Sequence, residues 1–134
     1  MIVGDLKPLE ELAASLAGFR RVLVLFQPHR YTRTHFLMRE FATCFAQCDQ
    51  LWMLDIYAAS EQKIEGVTAE LLAGKVREAG HPAVEYVPEA EQAVERIVGT
   101  AQEGDAVLLL GAGNVNQLAD AILEGLSARM AAQS

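Results

Sequence analysis

The chain is poor in cysteine, short of positive charge and without any long apolar run, and each shortage excludes something. Its two cysteines, Cys44 and Cys48, lie four apart in a segment of helical pattern. No second Cys/His pair at suitable spacing completes a zinc site, so reduced thiols in a cytoplasmic helix are expected. Eleven Lys and Arg stand against eighteen Asp and Glu, a formal net charge of −7. That argues against a general affinity for nucleic acid or anionic membranes. No apolar run approaches the roughly 20 residues that a membrane span needs. No basic segment followed by an apolar one opens the chain, so no secretory signal is expected and a cytoplasmic location is. Repeats, low-complexity tracts and internal linkers are absent too. With 134 residues, 51% apolar and 22% charged, the expectation is one globular domain, large enough to bury a core.

What is present is an alternation of strand and helix patterns. Apolar residues at helical spacing (Leu9, Leu12, Ala13, Leu16) predict a helix over 9–16, with Pro8 in its first turn and Gly18 at its end. Residues 21–26 read as a buried strand. A helix over 34–48 carries Phe36, Leu37, Phe41 and Phe45 on one broad face, with Thr34 as its N-cap. Residues 50–56 form a second strand, whose single Trp52 is assigned to the core. After a polar loop over 57–67, a helix over 68–79 is capped by Thr68 and closed by Gly80 before Pro82. A strand over 83–87, a helix over 88–101 and the most apolar strand, over 105–110, follow. A turn at 111–114 leads to a last helix over 115–126, and residues 127–134 are expected to fray. Four strands, each followed by a helix, imply parallel pairing with right-handed crossovers. Near-continuous apolar strands imply cover on both faces. The predicted fold class is α/β, a Rossmann-like, open, mostly parallel sheet flanked by helices.

In such a sheet ligands bind beyond the carboxyl ends of the strands. Three segments project there: the loop at 27–34, the loop at 55–66 and the turn at 111–114. The first reads Phe26-Gln27-Pro28-His29-Arg30-Tyr31-Thr32-Arg33-Thr34. It gathers two arginines and a histidine near a helix start, where the helix dipole makes cations mildly unfavourable. The cluster makes more sense if an anion sits there. Arg30 and Arg33, three apart, share a helical face and could fork onto one carboxylate or phosphate, with His29 as a further donor. The other reading is a solvated basic loop with salt bridges to Asp55 or Glu61, and spacing alone leaves both open.

The second segment, Asp55 to Glu61 with Tyr57 between them, puts one acid at a strand end and another six residues on. These acids could orient the arginines or recognise an ammonium group, or simply be solvated. Gly111-Ala112-Gly113-Asn114 resembles part of a dinucleotide fingerprint, but the third glycine is replaced by Asn116 and no later strand supplies a ribose-binding acid. Its amides could contact an anion, or its glycines could simply allow a tight strand-to-helix turn. His81, in a connecting loop at the opposite end of the sheet, is given no role, and His35 is left open. No residue is singled out as catalytic and no metal ligands are expected.

The nine residues at 26–34 closely resemble a signature of the Mur ligases, most like that of the UDP-N-acetylmuramate–L-alanine ligases in their carboxy-terminal domain. Three further stretches fit in order: Asp-Ile-Tyr-Ala-Ala-Ser-Glu at 55–61, Ile-Glu-Gly-Val-Thr at 64–68, and Leu-Gly-Ala-Gly-Asn at 110–114. The resemblance covers residues 20–126. It implies a part in making cytoplasmic peptidoglycan precursors, in which ATP phosphorylates a substrate carboxylate and an amino acid's amine attacks the acyl phosphate. It also implies that His29, Arg30 and Arg33 face substrate, with the arginines gripping the amino acid's carboxylate. Asp55, Tyr57, Glu61, Gly111, Gly113 and Asn114 are secondary candidates. The implied partners are amino-terminal and central ligase domains, UDP-N-acetylmuramate and L-alanine. ATP and Mg would be held mainly by those other domains, with no cofactor bound tightly here.

The chain departs from that family in two ways. No Gly-x-x-x-x-Gly-Lys-[Ser/Thr] loop occurs in it. Residues 1–19 lack the family's Asp-Asp-Tyr-Ala-His-His-Pro-like opening and read as a diverged or truncated start. An isolated domain is therefore expected not to ligate. The rival expectation is a stand-alone Rossmann-like module binding a small anionic metabolite.

Overall fold

The run Val22-Leu23-Val24-Leu25-Phe26 offers no polar side chain to solvent, so a strand made from it must be covered on both faces. The computed structural model describes residues 2–3, 18–44, 48–80, 83–111 and 117–133, and it meets that demand. Five strands, β1 (Ile2–Val3), β2 (Arg21–Gln27), β3 (Gln50–Met53), β4 (Val84–Tyr86) and β5 (Asp105–Gly111), form one sheet in the order β1-β5-β2-β3-β4. Every pairing is parallel. The described helices are α1 (Tyr31–Cys44), α2 (Ala69–Glu78), α3 (Ala90–Thr100) and α4 (Leu118–Gln133).

Period-two alternation divides the core. Val22, Val24, Phe26, Leu51, Met53, Leu108 and Leu110 point to one face, where they meet Leu72 and Val76 of α2 and Leu37 and Met38 of α1. Leu23, Leu25, Trp52 and Leu109 point to the other, against Ala93 and Ile97 of α3 and Ile122 of α4. Burying each of the larger side chains contributes about 1.5–3 kcal/mol. Trp52, 2% exposed, is core as its pattern predicts.

The order of strands fixes where a ligand would sit. The chain steps from β2 outward through β3 to β4, then returns to lay β5 on the other side of β2. Between the carboxyl ends of β2 and β5 the winding reverses, which is the switch point where open α/β sheets place their ligands. The register there runs from Arg21 opposite Asp105 to Gln27 opposite Gly111.

Four expectations are corrected or extended. The first described strand, β1, is too short to leave a periodicity signal, yet it pairs Ile2 with Leu109 and Val3 with Leu110. Helix α1 begins at Tyr31, three residues before the expected cap. That rotation turns Thr34, Leu37 and Met38 towards the sheet and leaves Phe36, two residues past Thr34, 80% exposed. The side chain of Phe41, and Phe45, lie outside the described residues, as does the helix expected over 9–16. The tail expected to fray is helical through Gln133. Its Ala, Arg and Met residues are strong helix formers, and Arg129 Nη1 donates to the carbonyl of Val98 on α3. Thr68 caps α2 as expected, its Oγ1 accepting from the Leu71 N–H at 3.0 Å.

At the amino edge, opposite the ligand edge, β2 and β5 are tied by charge. Arg21 Nη2 lies 2.7 Å from Asp105 Oδ2, and Arg21 Nε donates to Oδ1 at 3.2 Å. The Gln102 N–H also donates to Oδ2, at 2.8 Å. The Asp105 side chain is 1% exposed, so removing its charge leaves a guanidinium facing a neutral partner. The Arg21 hydrogen bond holds the Asp105 carboxyl below its usual range. The stability this contributes is full above about pH 4, the unfolded value, and is lost as pH falls through the lower folded value. Asp105→Asn is expected to cost about 2 kcal/mol at neutral pH and to flatten the acid limb of stability. Urea unfolding at neutral pH and at about pH 3 measures both; equal losses at the two pH values would contradict the assignment. Cys48 is buried, and that burial pushes its thiol up to about 12.

Candidate functional site

Beyond Gln27 the strand does not stop pairing at once. Pro28 has no N–H to donate, but its carbonyl accepts from the Tyr57 N–H at 2.8 Å. The Arg30 N–H donates to the Tyr57 carbonyl at 2.7 Å. His29 and Tyr57 thus form an isolated parallel bridge, and their rings stack 5.8 Å apart at 12°. Two of the projecting loops are in this way joined through their backbones.

Arg30 then turns the chain into α1 from a left-handed conformation, φ 66°. Its carbonyl accepts the Thr34 N–H at 3.1 Å and the Thr34 hydroxyl at 2.7 Å. Thr34 is therefore not the cap; it is fully buried inside the first turns. The guanidinium groups of Arg30 and Arg33 are exposed and have no hydrogen-bond or ion-pair partner among the described residues.

An anion does sit at this helix start, and it belongs to the chain. The Glu61 carboxylate accepts the Tyr31 N–H at 2.7 Å, the Thr32 N–H at 3.2 Å and the Thr32 hydroxyl at 2.6 Å. The Thr32 hydroxyl bond leads the causes that hold its carboxyl below the ordinary range, with the two amides and the Arg30 charge adding to it. Glu61 is delivered by a tight turn in which its N–H donates to the Ala58 carbonyl at 3.0 Å. Both central residues, Ala59 and Ser60, have positive φ, 51° and 73°, the pattern of a type I′ turn that glycine and asparagine usually fill.

Asp55 does not salt-bridge the arginines. Its Oδ1 accepts from the Tyr86 hydroxyl, and its backbone carbonyl accepts from Gln27 Nε2 at 3.4 Å. Burial, then the Asp55 carboxylate, pushes the Tyr86 phenol up to about 12. The two line a cleft of about 460 Å³ with Tyr31, Lys63, Thr68 and Glu70. Tyr86 could not be singled out from sequence; only its register opposite Met53 brings it beside the strand that leads into Asp55.

Gly111 closes the site from the other side of the switch point. It has φ 128°, and a Cβ there would overlap the Gln27 carbonyl. Gly113 and Asn114 lie outside the described residues. His35 is exposed and meets Phe36 edge-on, centroids 6.1 Å apart, and His81 is also outside the described residues.

Residues 6–113 match the family described as Mur ligase, glutamate ligase domain. The chain belongs to the Mur ligase family. It is 56% identical over 113 residues to a UDP-N-acetylmuramate–L-alanine ligase of Solibacter usitatus, covering 84% of this chain and 24% of that protein. A ligase of the same name from Koribacter versatilis is 51% identical over 120 residues, covering 90% and 26%. The chain thus spans about a quarter of the length of the curated relatives it matches. Among solved structures, the UDP-N-acetylmuramate–alanine ligase of Thermotoga maritima superposes with a TM-score of 0.70 at 16% identity, covering 96% of this chain and 26% of that one. A single domain of a related ligase from Haemophilus ducreyi gives 0.62 at 18% identity, covering 94% and 87%. The fold is that of the Mur ligase carboxy-terminal domains.

Among the described residues of this Mur ligase domain no three His, Cys, Asp or Glu side chains come together as metal ligands. The sequence contains no Gly-x-x-x-x-Gly-Lys-[Ser/Thr] phosphate loop. What the ligand edge offers is two outward guanidinium groups, a stacked imidazole and a helix start already occupied by a carboxylate. No described helix is long and apolar enough to cross a membrane.

Proposed function

We propose that this chain is the amino-acid-positioning domain of an ATP-dependent UDP-N-acetylmuramate–L-alanine ligase acting in the cytoplasm on peptidoglycan precursors. One observation carries the reading: Arg30 and Arg33 stand exposed at the carboxyl edge of the sheet, while the neighbouring acid, Glu61, is committed to the backbone at the helix start. Two guanidinium groups freed in this way suit the carboxylate of an incoming amino acid, which they bind by charge-assisted hydrogen bonds. His29, held by its stack on Tyr57, borders the same ligand. The chain positions and does not catalyse. ATP, magnesium and the sugar nucleotide belong to amino-terminal and central domains, and the relatives' greater length leaves room for them.

The division of labour gives an expected result. The 134-residue chain mixed with ATP, L-alanine and UDP-N-acetylmuramate releases no phosphate above background, because the site loses its proximity advantage when its halves are separate. The same chain in frame with its upstream ligase domains adds L-alanine to the sugar nucleotide. Turnover by the isolated chain, or a complete polypeptide that ignores L-alanine, overturns the proposal.

A further inference from the structure

We infer that Glu61 is a positioning residue: a tethered carboxylate that fills the anion site at the start of α1 and thereby turns the ligand's carboxylate outward, onto Arg30 and Arg33. This deepens the reading above and rests on it. A helix start with free amides attracts anions. Beside two arginines it would be the strongest anion trap on this edge, and any small anion could occupy it in any orientation. Glu61 removes that option by taking both the Tyr31 and Thr32 amides and the Thr32 hydroxyl.

The loop that brings it is built for the purpose at a conformational cost. Ala59 and Ser60 both adopt positive φ where neither is favoured, and the loop's start is fixed by the Tyr57 bridge to Pro28 and Arg30. The segment 57–61 therefore clamps the arginine loop at two points, Tyr57 on its approach and Glu61 at the helix start. Arg30, whose carbonyl opens the helix from φ 66°, lies between the two clamps. With Glu61 gone, the amides fall open, Arg30 is held from one side only, and a carboxylate can slide from the guanidinium groups onto the helix start.

Two measurements test this, and they fail separately. In the 134-residue chain, the Tyr31 and Thr32 amide resonances are followed by NMR during titration with acetate. The wild type is expected to show no saturable shift at these amides, and Glu61→Ala is expected to show one, because acetate takes the vacated place. Saturable shifts in the wild type, or none in Glu61→Ala, overturn the inference whatever the chain's function. In the complete ligase, Glu61→Ala is expected to raise KM for the amino acid roughly tenfold, the scale of one charge-assisted hydrogen bond. The KM for ATP should stay unchanged, acetate should restore part of the loss, and Glu61→Gln, which keeps an acceptor oxygen, should fall between. A uniform rise in every KM, unmoved by acetate, assigns Glu61 to general folding and overturns the positioning role. If the wild-type ligase does not use L-alanine, the functional proposal fails and the acetate titration still decides Glu61.

Discussion

Gly111→Ala is expected to cost about 3 kcal/mol or more and to lower the unfolding midpoint by about 10 °C. Two effects combine. At φ 128° an L-residue is strained wherever it sits. Here the added methyl also meets the Gln27 carbonyl, which is backbone and cannot swing aside. Relief requires β2 and β5 to separate at their last shared rung, Gln27 opposite Gly111. That rung is followed at once by Pro28, His29 and Arg30, so the substitution should disturb the arginine loop as well as the sheet. Gly66 is the control: it too has positive φ, 83°, but open space around it. Gly66→Ala should show the conformational cost alone, about 1 kcal/mol. Thermal unfolding followed by circular dichroism separates the two. A Gly111→Ala midpoint within about 2 °C of the wild type would mean that the ladder relaxes freely there.

The sheet was legible because its strands are almost uninterrupted apolar runs and its crossovers are helical; from these, parallel pairing and the ligand edge follow without further information. Core assignment of Trp52 needed only its neighbours Leu51 and Met53. Failures came where a local rule was outvoted by a distant residue. Thr34 has the chemistry of an N-cap, but α1 begins earlier because Glu61, thirty residues beyond Tyr31, supplies the capping oxygens. No propensity scale finds that partner, since the turn delivering it sets Ala59 and Ser60 in conformations their types disfavour. The helix expected over 34–48 sets Phe36 on one broad apolar face with Leu37, and the actual phase of α1 leaves it 80% exposed. Tyr86 reads as any strand aromatic until register sets it near Asp55. Cations crowded near this helix start leave an external anion and a solvated loop both open, and the chain's own Glu61 carboxylate accepts the amides there. The anion there is resident, and that changes what remains for a ligand to bind.

What remains is the pair of arginines, and replacing both is expected to have the largest effect on activity. In the complete ligase, Arg30→Ala with Arg33→Ala should lower kcat/KM for the amino acid about a hundredfold to a thousandfold, as two charge-assisted contacts are lost. The KM for ATP should change little, because ATP is assigned under the proposed function to the other ligase domains. Lysine should not rescue either position, since a point charge cannot reproduce the planar fork. Arg30 permits a sharper separation of binding from folding. Its φ of 66° places a bulky residue where glycine is at ease, a strain of about 1 kcal/mol of the kind that functional sites retain. Arg30→Gly should therefore leave the fold as stable as before, or more so, and still lose most of the amino-acid affinity. Steady-state kinetics and thermal unfolding on the same preparation decide it. If Arg30→Gly destabilises the domain and leaves KM for the amino acid within about threefold of the wild type, the guanidinium serves the fold, and the strain at Arg30 is not there for the ligand.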